Sequence, residues 1–165
     1  QFTQALNNLN LVNEKVFSEQ LERMERELQS LEQLSGPHQS SVTAKSFGIL
    51  PLSRSQPGRF NQLVDQYGEL LDLALERRAF KVEHNISEKL HSIGDEIGFL
   101  NVGPRDVVEI HNSFLKNKKK TELPQKMHAY MEESRLLVLE LMGYLVSYYR
   151  KYSLGVRKII NKIET

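Results

Sequence analysis

The stretch Met127-His-Ala-Tyr-Met-Glu-Glu-Ser-Arg-Leu-Leu-Val-Leu-Glu-Leu-Met-Gly-Tyr-Leu-Val-Ser-Tyr-Tyr-Arg-Lys-Tyr152 decides the fold of this chain. Met127, Met131, Ser134, Val138, Leu141, Leu145, Tyr148 and Tyr152 recur at alternating spacings of four and three, a helical stripe held in register throughout. A second set, Leu136, Leu137, Leu139, Met142, Tyr144, Val146 and Tyr149, covers much of the remaining circumference. Between Leu136 and Tyr149 only Glu140, Gly143 and Ser147 interrupt the apolar surface. Such a helix needs cover on nearly every side. Neighbouring helices of so small a chain supply one side, and a second copy is the simplest source of the rest. The alternative is the central helix of a larger monomeric bundle. A membrane span is excluded, because the run is too short and carries Glu140.

Composition narrows the class. The chain has 165 residues, enough for one domain with a core plus an appendage. Its 22 basic and 21 acidic residues leave no net field to attract nucleic acid or an anionic membrane, so the expected partners are proteins. With no cysteine, neither disulfides nor thiolate chemistry is available, which fits a reducing, cytoplasmic setting. No hydrophobic targeting segment opens the chain, and a first residue of Gln1 leads us to expect a domain cut from something longer. Strand alternation is scarce. The predicted class is all-α: a four-helix bundle, dimeric, preceded by a long coiled-coil helix.

Four segments are expected: a helix over 1–35, a linker over 36–58, a helical bundle over 59–152 and a tail over 153–165. The first carries Phe2, Ala5, Leu9, Val12 and Val16 and then, after a one-residue skip, Phe17, Leu21, Met24, Leu28 and Leu31. This helix either pairs in trans or folds back on its own bundle. Gly36-Pro37 ends it. The linker contains Phe47-Gly-Ile-Leu-Pro-Leu52, too apolar for a free tether and expected to dock extended on the bundle. Helices are predicted from Arg59 to about Lys81, from Val82 to Ile97 with Gly98 as the stop, and from Pro104 onward. The run Lys116-Asn-Lys-Lys-Lys120 lacks interleaved aromatics and reads as a solvated loop rather than a nucleic-acid site. A break at Ser153-Leu-Gly155 is expected before an amphipathic tail bearing Val156, Ile159, Ile160 and Ile163.

Little in the chain resembles a catalytic apparatus. The five histidines, His38, His84, His91, His111 and His128, form no HExxH pair, so no metal site is expected, and no phosphate-binding glycine loop or nucleophile elbow is present. No cofactor is expected. His84, in Val82-Glu-His-Asn-Ile-Ser-Glu-Lys-Leu90, is loosely like the phosphoacceptor box of histidine-kinase dimerisation helices but lacks the proline that kinks such a box. A phosphotransfer domain using His84 is therefore the alternative function. His111 is expected to be a partly buried histidine hydrogen-bonded across the bundle.

The segment Arg105-Asp-Val-Val-Glu-Ile-His111, followed by Tyr130 to Arg150, resembles a family of dimeric helical signalling modules. It comprises the C-terminal domain of the cyanobacterial clock protein KaiA and the N-terminal domain of the stress-response regulator RsbU. Both carry a hydrophobic residue, Glu or Ser, Ile and His ahead of a long apolar helix ending in aromatic and basic residues. The similarity spans roughly residues 59 to 152; the N-terminal helix and the Phe47–Leu52 segment lie outside it. The resemblance implies a non-enzymatic module that dimerises through its long helices and binds a partner kinase, or its tail peptide, in a groove at the dimer interface. The positions matching the motif are Val108, Glu109, Ile110 and His111, with Arg135, Leu141, Tyr149 and Arg150 on the long helix. Val138, Leu145 and Tyr148 join them as the expected interface, with Leu141 and Leu145 at the shared seam.

Overall fold

A computed structural model describes residues 2–36 and 50–163. The described residues form six helices and no strand: α1 (Phe2–Ser35), α2 (Leu52–Ser55), α3 (Pro57–Phe80), α4 (Ile86–Phe99), α5 (Pro104–Thr121) and α6 (Pro124–Ile163). The side chains of Phe2, Ala5, Val156, Ile159, Ile160 and Ile163, and the segment Phe47–Ile49, lie outside what is described.

The helices start and stop where local chemistry dictates. Prolines 57, 104 and 124 each occupy a first helical position, where a missing N–H costs nothing. α3 ends at Lys81, which takes the left-handed conformation (φ 55°) and donates its N–H to the Arg77 carbonyl at 2.9 Å. A turn therefore separates α3 from α4, and α4 begins at Ile86 rather than Val82. Gly98 is not the stop of α4, because the helix runs on to Phe99 and Asn101 (φ 60°) makes the left-handed turn instead. Nor does Ser153-Leu-Gly155 break α6, which is continuous for 40 residues. One glycine inside a long helix costs only about 1 kcal/mol, too little to end it.

Packing follows the apolar periodicity. Leu63, Tyr67, Leu71 and Ala74 of α3, Leu90 and Ile97 of α4, Val107, Ile110 and Leu115 of α5, and Met127, Leu141 and Leu145 of α6 fill a common core. Close approach of α4 to α6 depends on Gly94 and Gly98. A Cβ on Gly94 would lie 2.7 Å from the Cβ of Tyr144, and one on Gly98 would press against Cγ, Cδ1 and Cε1 of the Tyr148 ring at less than 3 Å.

The expected boundary between an N-terminal helix and a separate bundle does not hold. Met24 and Leu28 of α1 are buried members of the core, with Leu31 packed beside them. Acidic residues flank these anchors and meet cations of α5 and α6: Glu25–Lys119 at 3.0 Å, Glu32–Lys116 at 2.8 Å and Glu27–Arg135 at 2.5 Å. The lysine run is accordingly helix rather than solvated loop, and its cations clamp α1, while Lys118 pairs with Asp72 of α3 at 3.0 Å. Of the linker, Leu52 is buried at the start of a single helical turn and Leu50 is exposed, so this part is not extended. The Asp106 carboxylate accepts the Leu52 N–H at 2.7 Å and the Gly103 N–H at 3.0 Å, tying α2 to the first turn of α5.

Candidate dimer and partner-binding surface

The sequence-predicted site residues separate into three groups once folded. Ile110 and His111 are buried, and Leu141 and Leu145 are 0% and 1% exposed. These four belong to the core of a single chain, so Leu141 and Leu145 do not form a surface seam. They are enclosed because α6 lies against α4 and α5 on that side. Val108, Glu109, Val138, Tyr148 and Tyr149 are half-buried; Val138 packs against the core, and the Tyr149 hydroxyl donates to the Val102 carbonyl at 2.8 Å. Arg135 and Arg150 are exposed, with Arg135 holding Glu27 through two hydrogen bonds of 2.9 and 2.5 Å.

The one expected polar contact across the core is present. His111 Nδ1 lies 2.8 Å from the Tyr67 hydroxyl, which also lies 3.4 Å from the Ser134 carbonyl. The ring is 2% exposed and packs edge-on against Tyr67. Burial lowers the His111 pKa to about 4, only partly opposed by the nearby Glu27 carboxylate, so the imidazole is neutral at physiological pH. Burial likewise pushes the Tyr67 phenol far up, and the pair is a neutral hydrogen-bonded bridge from α3 to α5 and α6. Nothing in this arrangement leaves His111 open to a substrate or partner.

His84 is not on a helix. It lies in the α3–α4 connection, with Nε2 3.1 Å from a Glu76 carboxylate oxygen. A phosphoacceptor imidazole presented along a dimerisation helix requires the opposite placement. Among the described residues no group of three or more His, Asp or Glu side chains could hold a metal ion, and no helix is long and apolar enough to cross a membrane.

Among the described residues, two sets of exposed apolar side chains form rows, while Leu34, Phe80, Phe99 and Leu123 are exposed elsewhere. On α6, Leu136, Leu139 and Val146 are 66%, 70% and 54% exposed, and open space surrounds the Gly143 Cα. On α1, every residue from Leu9 to Gln20 is exposed, including Leu9, Val12 and Val16. The skip after Val16 sets the direction of this row but not its exposure, since every residue over this span is exposed, Phe17 on the docking face included. At 100° per residue it rotates the Leu9–Val12–Val16 row roughly 100° away from the face that docks Met24 and Leu28. Between α1 and α6 lies a cleft of about 210 Å³ walled by Gln20, Arg23 and Glu27 on one side and His128, Glu132 and Arg135 on the other, with Met24 and Met131 at its floor.

Leu136, Leu139 and Val146 are visible in the sequence as part of the second apolar set, but periodicity alone does not rank the two sets. The distinguishing signal is extent: the buried stripe continues N-terminally through Met127 and Met131, whereas the exposed set begins only at Leu136. Comparison of the chain with protein-family models, with curated proteins and with solved structures finds no match to any of them.

Proposed function

We propose that this chain is a non-enzymatic homodimerisation and protein-binding module of a signalling or regulatory protein, built as a four-helix bundle with α1 as a fifth, partly docked helix. The observation carrying the reading is the pair of exposed apolar rows on α1 and α6, which a single chain leaves to water. Each Leu or Val contributes about 1.5 kcal/mol or more when fully covered. A twofold contact counts each of them twice, enough to exceed an association cost that starts at about 4 kcal/mol. The neutral, enclosed His111 and the placement of His84 off any helix support the non-enzymatic reading. A kinase or its tail peptide is the partner class in keeping with the KaiA-like and RsbU-like motif, and the rim of the seam at Arg135 and Arg150 is where such a segment would lie.

The test is the solution mass of the full chain by light scattering, with Leu139→Asp as the variant. The full chain is required, because a fragment of residues 59–152 would lack the core side chains Met24 and Leu28. The wild type is expected to have twice the chain mass and Leu139→Asp the mass of one chain, with helical circular dichroism unchanged. A monomeric wild type sinks the proposal.

A further inference from the structure

The docked half of α1 meets the rest of the chain on one narrow face. With Met24 as origin, a turn of about 100° per residue puts Leu28 and Leu31 within about 40° of it. Glu25 and Glu32 then lie about 80° to 100° round on one flank, and Glu27 about 60° round on the other. Each flank meets a different wall of the seat. Glu25 and Glu32 reach Lys119 and Lys116 of α5 at 3.0 and 2.8 Å, and Glu27 reaches Arg135 of α6 at 2.5 Å. This half of α1 therefore occupies a groove between α5 and α6 with cationic rims, and Met131 lines it beside Met24.

The fastening is of one kind. Among the described residues, every hydrogen bond or ion pair from α1 to another helix is made by one of these three carboxylates to a lysine or arginine. All of them face solvent; the Glu25 and Lys119 side chains are 59% and 41% exposed. Beneath them α1 commits only Met24 and Leu28 to the buried core, most of which comes from α3 to α6. Those four helices are also tied to one another without α1. Tyr67 meets His111 at 2.8 Å, Lys118 meets Asp72 at 3.0 Å and Arg78 meets Glu132 at 3.1 Å.

We infer that α1 is a releasable strap, held over the α5–α6 groove by charge and able to leave it as a unit while α3 to α6 stay folded. A folded chain opens in cooperative units below its global unfolding, and a unit with few buried apolar contacts opens first. Charge makes this opening adjustable, because exposed pairs are screened as the Debye length falls from about 10 Å at 0.1 M salt to about 3 Å at 1 M. Release uncovers Lys116, Lys119 and Arg135 around an apolar floor, a surface that the closed chain masks. The strap needs no second copy and stands or falls apart from the dimer proposed above.

Hydrogen exchange of the full chain, read by mass spectrometry, tests it. Raising the salt from about 0.1 M to about 1 M is expected to speed exchange of the Leu21–Leu31 amides roughly tenfold, the combined worth of three exposed ion pairs. The amides of Leu90–Ile97 and Leu137–Leu145 are expected to be unaffected. At low salt, Glu25→Lys is expected to loosen α1 several-fold, and adding Lys119→Glu to restore most of the protection. Both side chains are exposed, so neither substitution disturbs the core. Exchange of α1 at the rate of the core amides, with the same response to salt, overturns the strap, since α1 is then part of a single cooperative unit. Faster exchange of α1 that is indifferent to salt overturns its fastening by charge, as does a double variant no better protected than Glu25→Lys.

Discussion

The inner and outer faces of α6 are chemically alike and structurally opposite. Leu141 and Leu145 line one side and are lost to solvent; Leu139 and Val146, one or two residues away, are more than half exposed. What differs is the neighbour. The inner side meets α4, where Gly94 and Gly98 let the backbones approach until Tyr144 and Tyr148 rest where a Cβ would otherwise be. Around Leu139 and Val146 the outer side has no helix against it among the described residues, and it carries its own glycine, Gly143, with space above. Hydrophobicity thus states how much of a helix must be covered, and small residues on the facing helix state which side is covered first.

The largest effect should come from putting a charge on the inner face. Leu141→Asp creates both a cavity and a buried carboxylate, and a loss of more than about 4 kcal/mol is expected. Urea unfolding followed by circular dichroism checks this; a variant as stable as the parent would mean that α6 is packed the other way round. Next comes the neutral His111. Because its folded pKa of about 4 lies below the unfolded value of 6.5, its contribution is complete above pH 6.5 and is lost as the pH falls toward 4. Stability should drop by about 3 kcal/mol between pH 7 and pH 4 on its account. Comparison with His111→Gln isolates that part, and identical pH profiles would show that the imidazole does not titrate with unfolding.

Smaller still, Gly98→Ala should cost about 1–3 kcal/mol, because the added methyl must displace the Tyr148 ring. An unchanged midpoint would show that Tyr148 has room to move. On the outer face the expectation is near zero: Leu139→Asp should alter the stability of the isolated chain by less than about 0.5 kcal/mol, measured at a concentration where it is monomeric. A large loss there would erase the distinction between the faces.

Much of this was legible in the sequence. The all-helical class, most helix spans and the burial of Met127 and Met131 follow from spacing, because one face of a 3.6-residue helix must find cover; the same spacing pointed to Leu141 and Leu145 as a seam between copies, and they lie instead in the core of one chain. The buried His111 bridge was also readable, since a histidine beside a core face needs a partner. Which apolar set of α6 faces outward could not be read from periodicity, only from the greater extent of the stripe that starts at Met127, and the close packing that decides it involves Gly94 and Gly98 of another helix, far away in sequence. The docking of α1 was hidden for a related reason. Lys116 and Lys119 look solvated until Glu32 and Glu25, some ninety residues earlier, arrive beside them. The phase skip between Val16 and Phe17 was visible, but which side of it docks needed Met24 and Leu28 to be located.

The Asp106 carboxylate has a consequence for how firmly α1 stays in place. By accepting the N–H of Leu52 as well as that of Gly103, it fixes where the chain leaves the core. Only residues 36 to 51 separate that anchor from the end of α1. Because α1 and the core belong to one chain, its docking is intramolecular, at an effective concentration of order millimolar. Two apolar anchors and a few solvent-facing ion pairs then suffice for docking, although the same contacts between separate molecules would be weak. Asp106→Asn would weaken that anchor without touching α1 itself, loosening the docking of the helix indirectly rather than by loss of its own contacts.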